Sequence, residues 1–460
     1  MSPATVPADV DEESDQELLT GRARHEDLAE RLLEPLWSTP RWMKPALIVT
    51  FAMTLMLVGA VLYTMVSGIG VWGNRIPVVW AFAITNFVWW IGIGHAGTFI
   101  SAFLLLLEQK WRASINRFAE AMTIFAVMQA ALFPLLHLGR PWYFYWLVPY
   151  PSTMSIWPQF RSALTWDVAA ISTYFTVSVL FWYLGLVPDF AVARDRAPTK
   201  ARRLVYGVFA LGWRGSASGW MRYRTVYALL AGVAAPLVVS VHSIVSMDFA
   251  TAQLPGWHSE IFPPFFVAGA ILSGLAMVFL LMLPVRRLYR LEEVITVRHL
   301  DMLARFTLVT SCIVGYSYAA EAYNAAYGGD VFEMSQIFST RARGPFAWAF
   351  WGTIVCNVLA PQILWLRRAR RSAPFLFALS FAVQVGMWVE RFLIIVASQS
   401  RDFLPSSFRT YTPSFIDGTI LVGTLGCFLF LMLLFIRYVP FIPIREVQRL
   451  QRSLAEERSA

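Results

Sequence analysis

Residues 116–138, NRFAEAMTIFAVMQAALFPLLHL, decide the fold class. After Arg117 and Glu120, the run stays free of charged residues as far as His137. A stretch of about 20 apolar residues spans a bilayer as a helix. A charge or an unpaired imidazole inside such a stretch costs about 2.5–3.5 kcal/mol on insertion scales. His137 therefore needs an offsetting partner, and so does Asp167 near the start of the next apolar run. Both are expected close to the same membrane face, where a proton-coupled site would account for them.

The same pattern recurs outward from this stretch. Ten spans are expected, near 46–66, 80–107, 116–138, 165–187, 223–250, 262–285, 303–328, 345–366, 375–399 and 415–437. The runs are long and continuous rather than alternating, which favours helices over barrel strands. The composition agrees: 57% of the 460 residues are hydrophobic and 15% are charged, against about 25% charged in soluble domains. The expected class is an all-α polytopic membrane protein. It has a cytoplasmic acidic tail (1–45), a membrane domain (46–438) and a cytoplasmic C-terminal tail (439–460).

Most of the 38 Lys and Arg residues fall in the tails and in the loops after the second, fourth, sixth and eighth spans. Arg194, Arg196, Lys200, Arg202, Arg203, Arg214, Arg222 and Arg224 share one loop, and Arg367, Arg368, Arg370 and Arg371 another. The positive-inside rule then places both termini in the cytoplasm, and an even span count agrees. This asymmetry explains the net charge of +9 and argues against a nucleic-acid partner. The first residues carry Asp9, Asp11, Glu12, Glu13, Asp15 and Glu17, without the basic start and apolar core of a secretory signal. A disordered or partly helical tail is expected there, with a short interfacial helix over 24–34 ahead of Pro35 and Pro40.

Cys312, Cys356 and Cys427 lie inside spans and form no C-x-x-C pair, so no zinc or iron–sulfur cluster is expected in this chain. No phosphate-binding or dinucleotide-binding glycine loop is present. The informative positions are polar ones in the spans. His95, in WWIGIGHAGTFIS, sits near mid-membrane, either as a hydrogen-bonded structural histidine or as a link in a proton path. Glu120 lies near the cytoplasmic start of the third span. Pro134 and Pro141 bracket His137, so an irregular backbone is expected there, and Arg140 follows. Trp142, Tyr143, Tyr145, Trp146, Tyr150 and Trp157 form an aromatic belt that could also wall a lipid-soluble ring.

The fourth span opens with Thr165, Trp166 and Asp167. A helix N-terminus favours an acid, but the pairing with His137 favours function. The fifth carries His242, Ser246 and Asp248, so His137, Asp167, His242 and Asp248 are expected to converge on one outer face. Glu321 lies toward the outer part of the seventh span. Glu390 and Arg391 lie mid-span in the ninth, about 100° apart around the helix, and each is expected to pair with another helix. Asp417 reads as a capping acid. Bis-histidine haem is disfavoured, because His95 and His137 differ by about 20 Å in depth.

The stretches GIGHAGTFISAFLLLLEQKWRASINRFAEAMTIFAV (92–127), LFPLLHLGRPWYFYWLVPYP (132–151) and SALTWDVAAISTYF (162–175) resemble membrane subunits of the NrfD/polysulfide-reductase type. Within that family the chain is most similar to the first of the two large membrane subunits of alternative complex III. The resemblance implies two four-helix bundles, about 80–250 and 262–399, flanked by one helix at each end. It also implies a bacterial cytoplasmic-membrane location and a quinol, menaquinol or ubiquinol, oxidised near the periplasmic face. The implied partners are a periplasmic iron–sulfur subunit, a second large NrfD-like membrane subunit and cytochrome c subunits. It places the quinol site at His137 and Asp167, with Asp248 as a second acid. Arg140, His242, Trp166 and Tyr143 are the expected ring-binding neighbours, and His95, Glu120, Glu321, Glu390 and Arg391 the proton-path candidates. The alternative is a proton- or ion-translocating subunit, or a membrane anchor of another iron–sulfur molybdoenzyme-like complex.

Overall fold

A computed structural model describes residues 18–19, 25–147 and 162–459. Every long element among them is helical, because lipid offers the backbone no hydrogen-bond partners and a helix satisfies them internally. The long helices are α2 (Met43–Ser67), α3 (Ala81–Leu106), α4 (Asn116–His137), α5 (Ala163–Asp195), α7 (Ala217–Ala250), α8 (Phe262–Leu288) and α9 (Val297–Gly328). They continue with α10 (Ala347–Trp365), α11 (Ala373–Ser400) and α12 (Phe415–Tyr438). Among the described residues, nine of these are long and apolar enough to cross a membrane. The exception is α9, where ten spans were expected. It is 32 residues long, but Arg298, His299, Asp301 and Arg305 crowd its start and Glu321 and Asn324 its far half.

α4 and α5 pack side by side, α5 against α7, and α7 against α3, which closes back on α4. α8 packs against α9 and α11, and α10 lies against α9 and α11. The two groups meet mainly where α3 lies along α8. Close approach of α3 and α4 depends on Gly97, where a Cβ would collide with the carbonyl oxygen of Ala119. The outermost spans, α2 and α12, are far apart in sequence yet pack against each other, and α12 also touches α4. There Gly423 faces the Leu57 backbone, 2.9 Å from where its Cβ would stand.

Three amphipathic helices lie outside the spans: α1 (His25–Trp37), α6 (Lys200–Phe209) and α13 (Ile444–Ser459). α1 is the helix expected over 24–34, but it runs through Pro35 to Trp37. It buries Leu28, Leu32, Leu33 and Leu36. Arg437, at the end of α12, donates to Thr39 Oγ1 at 2.8 Å. The C-terminal tail is likewise a docked helix: Glu446 of α13 accepts from Arg112 Nη2 at 2.7 Å and from Asn116 Nδ2 at 3.2 Å. The acidic residues expected to form the tail before residue 18 lie outside the described residues.

Candidate functional site

Helix directions bring four chain segments to one end of the first bundle: the end of α4 with His137, the start of α3, the start of α5 with Asp167, and the end of α7 with Asp248. Contacts deeper in the bundle fix this register, since Tyr174 of α5 reaches Gly94 of α3, and His242 of α7 reaches His95.

His137 is the last residue of α4 and is 5% exposed. Its ring stacks on Trp80, with centroids 5.6 Å apart at 28°. Trp72, Phe87 and Phe133 stand around it with centroids at 6.4, 6.4 and 6.3 Å. Trp72 is fixed by donating to Thr64 Oγ1 at 3.1 Å. Trp80 holds a left-handed φ of 55°, a conformation that costs a bulky residue about 1–3 kcal/mol. Its amide donates to Asn74 Oδ1 at 3.0 Å, which offsets part of that cost. The chain is held in this turn so that the indole lies over the imidazole.

Asp167 and Asp248 hydrogen-bond to each other. Two carboxyls can do this only by sharing a proton, because one must donate an O–H. No described cation forms an ion pair with either of them. Two buried nitrogens at this end have no described protein partner, His137 Nε2 and Trp80 Nε1. Buried polar groups are almost always hydrogen-bonded. An unpartnered imidazole nitrogen and indole N–H in one aromatic box are groups a bound polar ring would satisfy.

The structure revises one sequence expectation here, the place of His242. Asp167 was expected beside His137; its described carboxyl partner is Asp248, and aromatic rings surround the imidazole. His242 was expected in the outer cluster. It lies six residues before Asp248 along α7, about 9 Å deeper, with its Nδ1 3.1 Å from His95 Nδ1. Arg140 and Tyr143 are exposed, and Trp166 is half-buried. Trp142 and Tyr145 are exposed in the belt, whereas Tyr150 and Trp157 lie outside the described residues, as does the side chain of Trp146. Trp72, Trp80, Phe87 and Phe133 were not singled out from sequence.

Below the carboxyl pair a polar column descends through the bundle. His95 Nδ1 is 2.6 Å from the Ile91 carbonyl and also faces His242. Tyr174 stacks on His95 at 4.5 Å and donates to Gly94 O at 2.9 Å. Thr98 follows, bonded to Ser178 Oγ at 3.3 Å and, through its amide, to Thr123 Oγ1 at 2.8 Å. Glu120 accepts from Ser101 and from Tyr227, the latter at 3.0 Å. Arg117 then bridges Glu120 at 3.2 Å and Asp189 at 3.3 Å. Its other donors reach Gly185 O at 2.6 Å and Trp182 O at 3.1 Å. Tyr174, Arg117 and Asp189 escaped the sequence reading, although Arg117 and Asp189 are charges inside apolar runs and could have been flagged.

The second bundle treats its ionisable groups differently. Glu390 and Arg391 do pair with each other, Oε1 to Nη1 at 2.9 Å, where each was expected to find a separate partner. They also reach other helices: Glu390 accepts from Tyr318 and faces Asn357 Nδ2 at 3.5 Å, and the Arg391 guanidinium lies 4.2 Å from the Phe266 ring centroid. Glu321 pairs with Arg341 at 2.8 Å, and Arg341 also donates to Gly256 O at 2.9 Å and Ser398 Oγ at 3.1 Å. Glu333, in the short helical turn Val331–Met334 beyond α9, accepts from the Gly256 amide at 2.9 Å. Burial raises its carboxyl above the usual range, against the pull of that amide. Asp417 caps α12: its Oδ2 accepts from the Ser414 amide at 2.8 Å, and Ser414 Oγ accepts from the Asp417 amide at 3.2 Å.

Among the described residues, no three His, Cys, Asp or Glu side chains cluster as a metal site. A family model described as Polysulphide reductase, NrfD, matches residues 70–401. The chain belongs to the NrfD family. The NrfD match takes in both bundles, from the turn carrying Trp72 to the end of α11. A relative assigned as a membrane subunit of dimethyl sulfoxide reductase, from Halobacterium salinarum, is 28% identical over 231 residues, 48% of this chain. That match spans about half of the relative's own length, 49%. The Hdr-like menaquinol oxidoreductase integral membrane subunit of Archaeoglobus fulgidus is 23% identical over 82% of this chain and 87% of its own length. A selenate reductase subunit of Mesobacillus selenatarsenatis is 21% identical over 78% and 85%. The chain is thus a multi-pass membrane protein of a family whose named relatives are subunits of redox complexes.

Proposed function

We propose that this chain is the membrane subunit of a quinol-linked oxidoreductase complex and that it oxidises quinol at the mouth of the first bundle. The observation that carries the reading is the pair of buried, unpartnered nitrogens in one aromatic box, His137 Nε2 and Trp80 Nε1, at the bundle end that also holds the Asp167–Asp248 carboxyl pair. A quinol ring offers two hydroxyls at opposite edges and an apolar face, which suits that set. The menaquinol oxidoreductase relative supports the same substrate class.

In this mechanism the ring enters from the lipid and packs against Trp80 and its neighbours. His137 Nε2 accepts one hydroxyl proton, as an imidazole suits at ambient pH. The Asp167–Asp248 pair holds one proton and has an acceptor oxygen for the other hydroxyl. Two electrons leave to an acceptor in a partner subunit, an iron–sulfur protein in our reading, since this chain offers no metal cluster site among its described residues. The column from His242 and His95 through Tyr174 to Glu120 gives protons a polar route across the bundle. The paired charges Glu321, Glu390 and Arg391 suit a structural role better.

The Lys/Arg asymmetry supports a periplasmic quinol site and cytoplasmic termini, because α1, α6, α13 and the Arg367–Arg371 segment lie at the end away from His137. Within this reading, the complex is an alternative complex III, with a second NrfD-like subunit and cytochrome c subunits as further partners. Quinone analysis tests the core of the proposal. The purified complex is expected to retain quinone and to reduce an acceptor with quinol. A complex with no bound quinone and no quinol-dependent reduction would favour an ion-translocating subunit instead.

A further inference from the structure

A lipid-facing groove of about 680 Å³ runs along the outer surface of α9 beside the end of α10, on the second bundle. Its lining begins at Arg305 and Arg370 and continues through Leu308, Val309, Ile313 and Tyr316. From Arg305 to Tyr316 is eleven residues of helix, about 16 Å. That matches one leaflet of a hydrocarbon core about 30 Å thick. Val309 is 56% exposed and Tyr316 68% exposed, so the apolar wall is open to the bilayer.

The charged mouth is built rather than incidental. Asp301 is buried and accepts from both arginines, Arg305 Nη2 at 2.7 Å and Arg370 Nε at 2.8 Å. Arg370 is fixed further by donating to Leu364 O at 2.8 Å and Trp365 O at 3.0 Å. One carboxylate between two guanidiniums leaves a net positive charge, and Arg367 and Arg368 add to it from the adjoining turn. Trp365 is 68% exposed at the same level, the position of an interfacial aromatic anchor. Basic pockets between membrane helices at such a depth recognise anionic headgroups.

We propose that this groove is a specific site for an anionic phospholipid, its phosphate held at Arg305 and Arg370 and one acyl chain laid along α9. The site is separate from the quinol pocket, lying on the other bundle and opening at the opposite membrane face, so it stands whether or not the chain oxidises quinol.

The test uses the purified protein in the complex with which it is isolated, delipidated in detergent and titrated with phosphatidylglycerol, with phosphatidylcholine of the same chains, and with inorganic phosphate. Native mass spectrometry reads retention. One phosphatidylglycerol per chain is expected to stay bound, phosphatidylcholine to be retained about fivefold less, and inorganic phosphate not to bind. Arg305→Gln lowers phosphatidylglycerol retention about fivefold. Val309→Trp fills the exposed groove without touching a charge and also lowers it. Equal retention of both lipids, unchanged retention in both variants, or binding of phosphate alone overturns the proposal. A benzophenone carried on the exposed, free Cys312 thiol in the groove is expected to capture lipid. Capture of a protein partner there also overturns it.

Discussion

The two bundles handle buried ionisable groups differently. In the second, Glu390 faces Arg391, and Glu321 faces Arg341, each within 2.9 Å. At the mouth of the first, two carboxyls face each other and aromatic rings surround an imidazole. Charges that are paired within the protein hold helices together. Polar atoms left without a partner make sense when the partner is a ligand. The same bundle shows both behaviours along its length, because the Nη1 and Nη2 donors of Arg117 at its other end reach Glu120, Asp189 and two carbonyls.

Substitutions can break or sharpen that contrast. The largest effect is expected for Asp167→Asn, which keeps the shape and a hydrogen bond to Asp248 but removes a carboxyl that can take up a proton. Quinol-dependent turnover should fall by about 10²-fold or more with the complex still assembled, as measured by steady-state reduction and size-exclusion chromatography. Glu390→Leu should act on stability instead. It strands Arg391 in the protein interior at a cost of about 3–5 kcal/mol. Chemical unfolding in detergent should show the loss, and Glu390→Leu/Arg391→Leu should recover most of it. If the single variant unfolds normally yet loses turnover, the contrast between the bundles fails. Gly97→Ala pushes α3 from α4 against the Ala119 carbonyl and should cost about 1–3 kcal/mol, read in the same unfolding experiment. The smallest effect is expected for Tyr143→Phe. Its ring is 39% exposed and is absent from the box around His137, so turnover should stay at the unaltered rate.

Hydropathy made the fold legible, since long apolar runs have one backbone solution in lipid. It could not separate α9 cleanly, because that helix carries its charges at its ends. Position along a helix was legible: His137, Asp167 and Asp248 fall near helix ends at one end of the first bundle. Rotation about the helix axis was not legible, and it misplaced His242. Its depth follows from counting residues, but which neighbour it faces depends on how α7 turns against α3, and there it meets His95. The same limit hid the direct Glu390–Arg391 pair, which depends on the side-chain rotamers of two adjacent residues. Trp80 was missed for another reason. It sits in a turn ahead of α3, outside any periodic pattern, and its role comes from a left-handed backbone that no spacing announces.

The most direct test of the quinol pocket is turnover in an assembled complex carrying His137→Ala. The expected result is a complex with its full set of partners and normal thermal stability, and with quinol-dependent reduction abolished. Near-normal quinol turnover in that purified, fully assembled variant would contradict it.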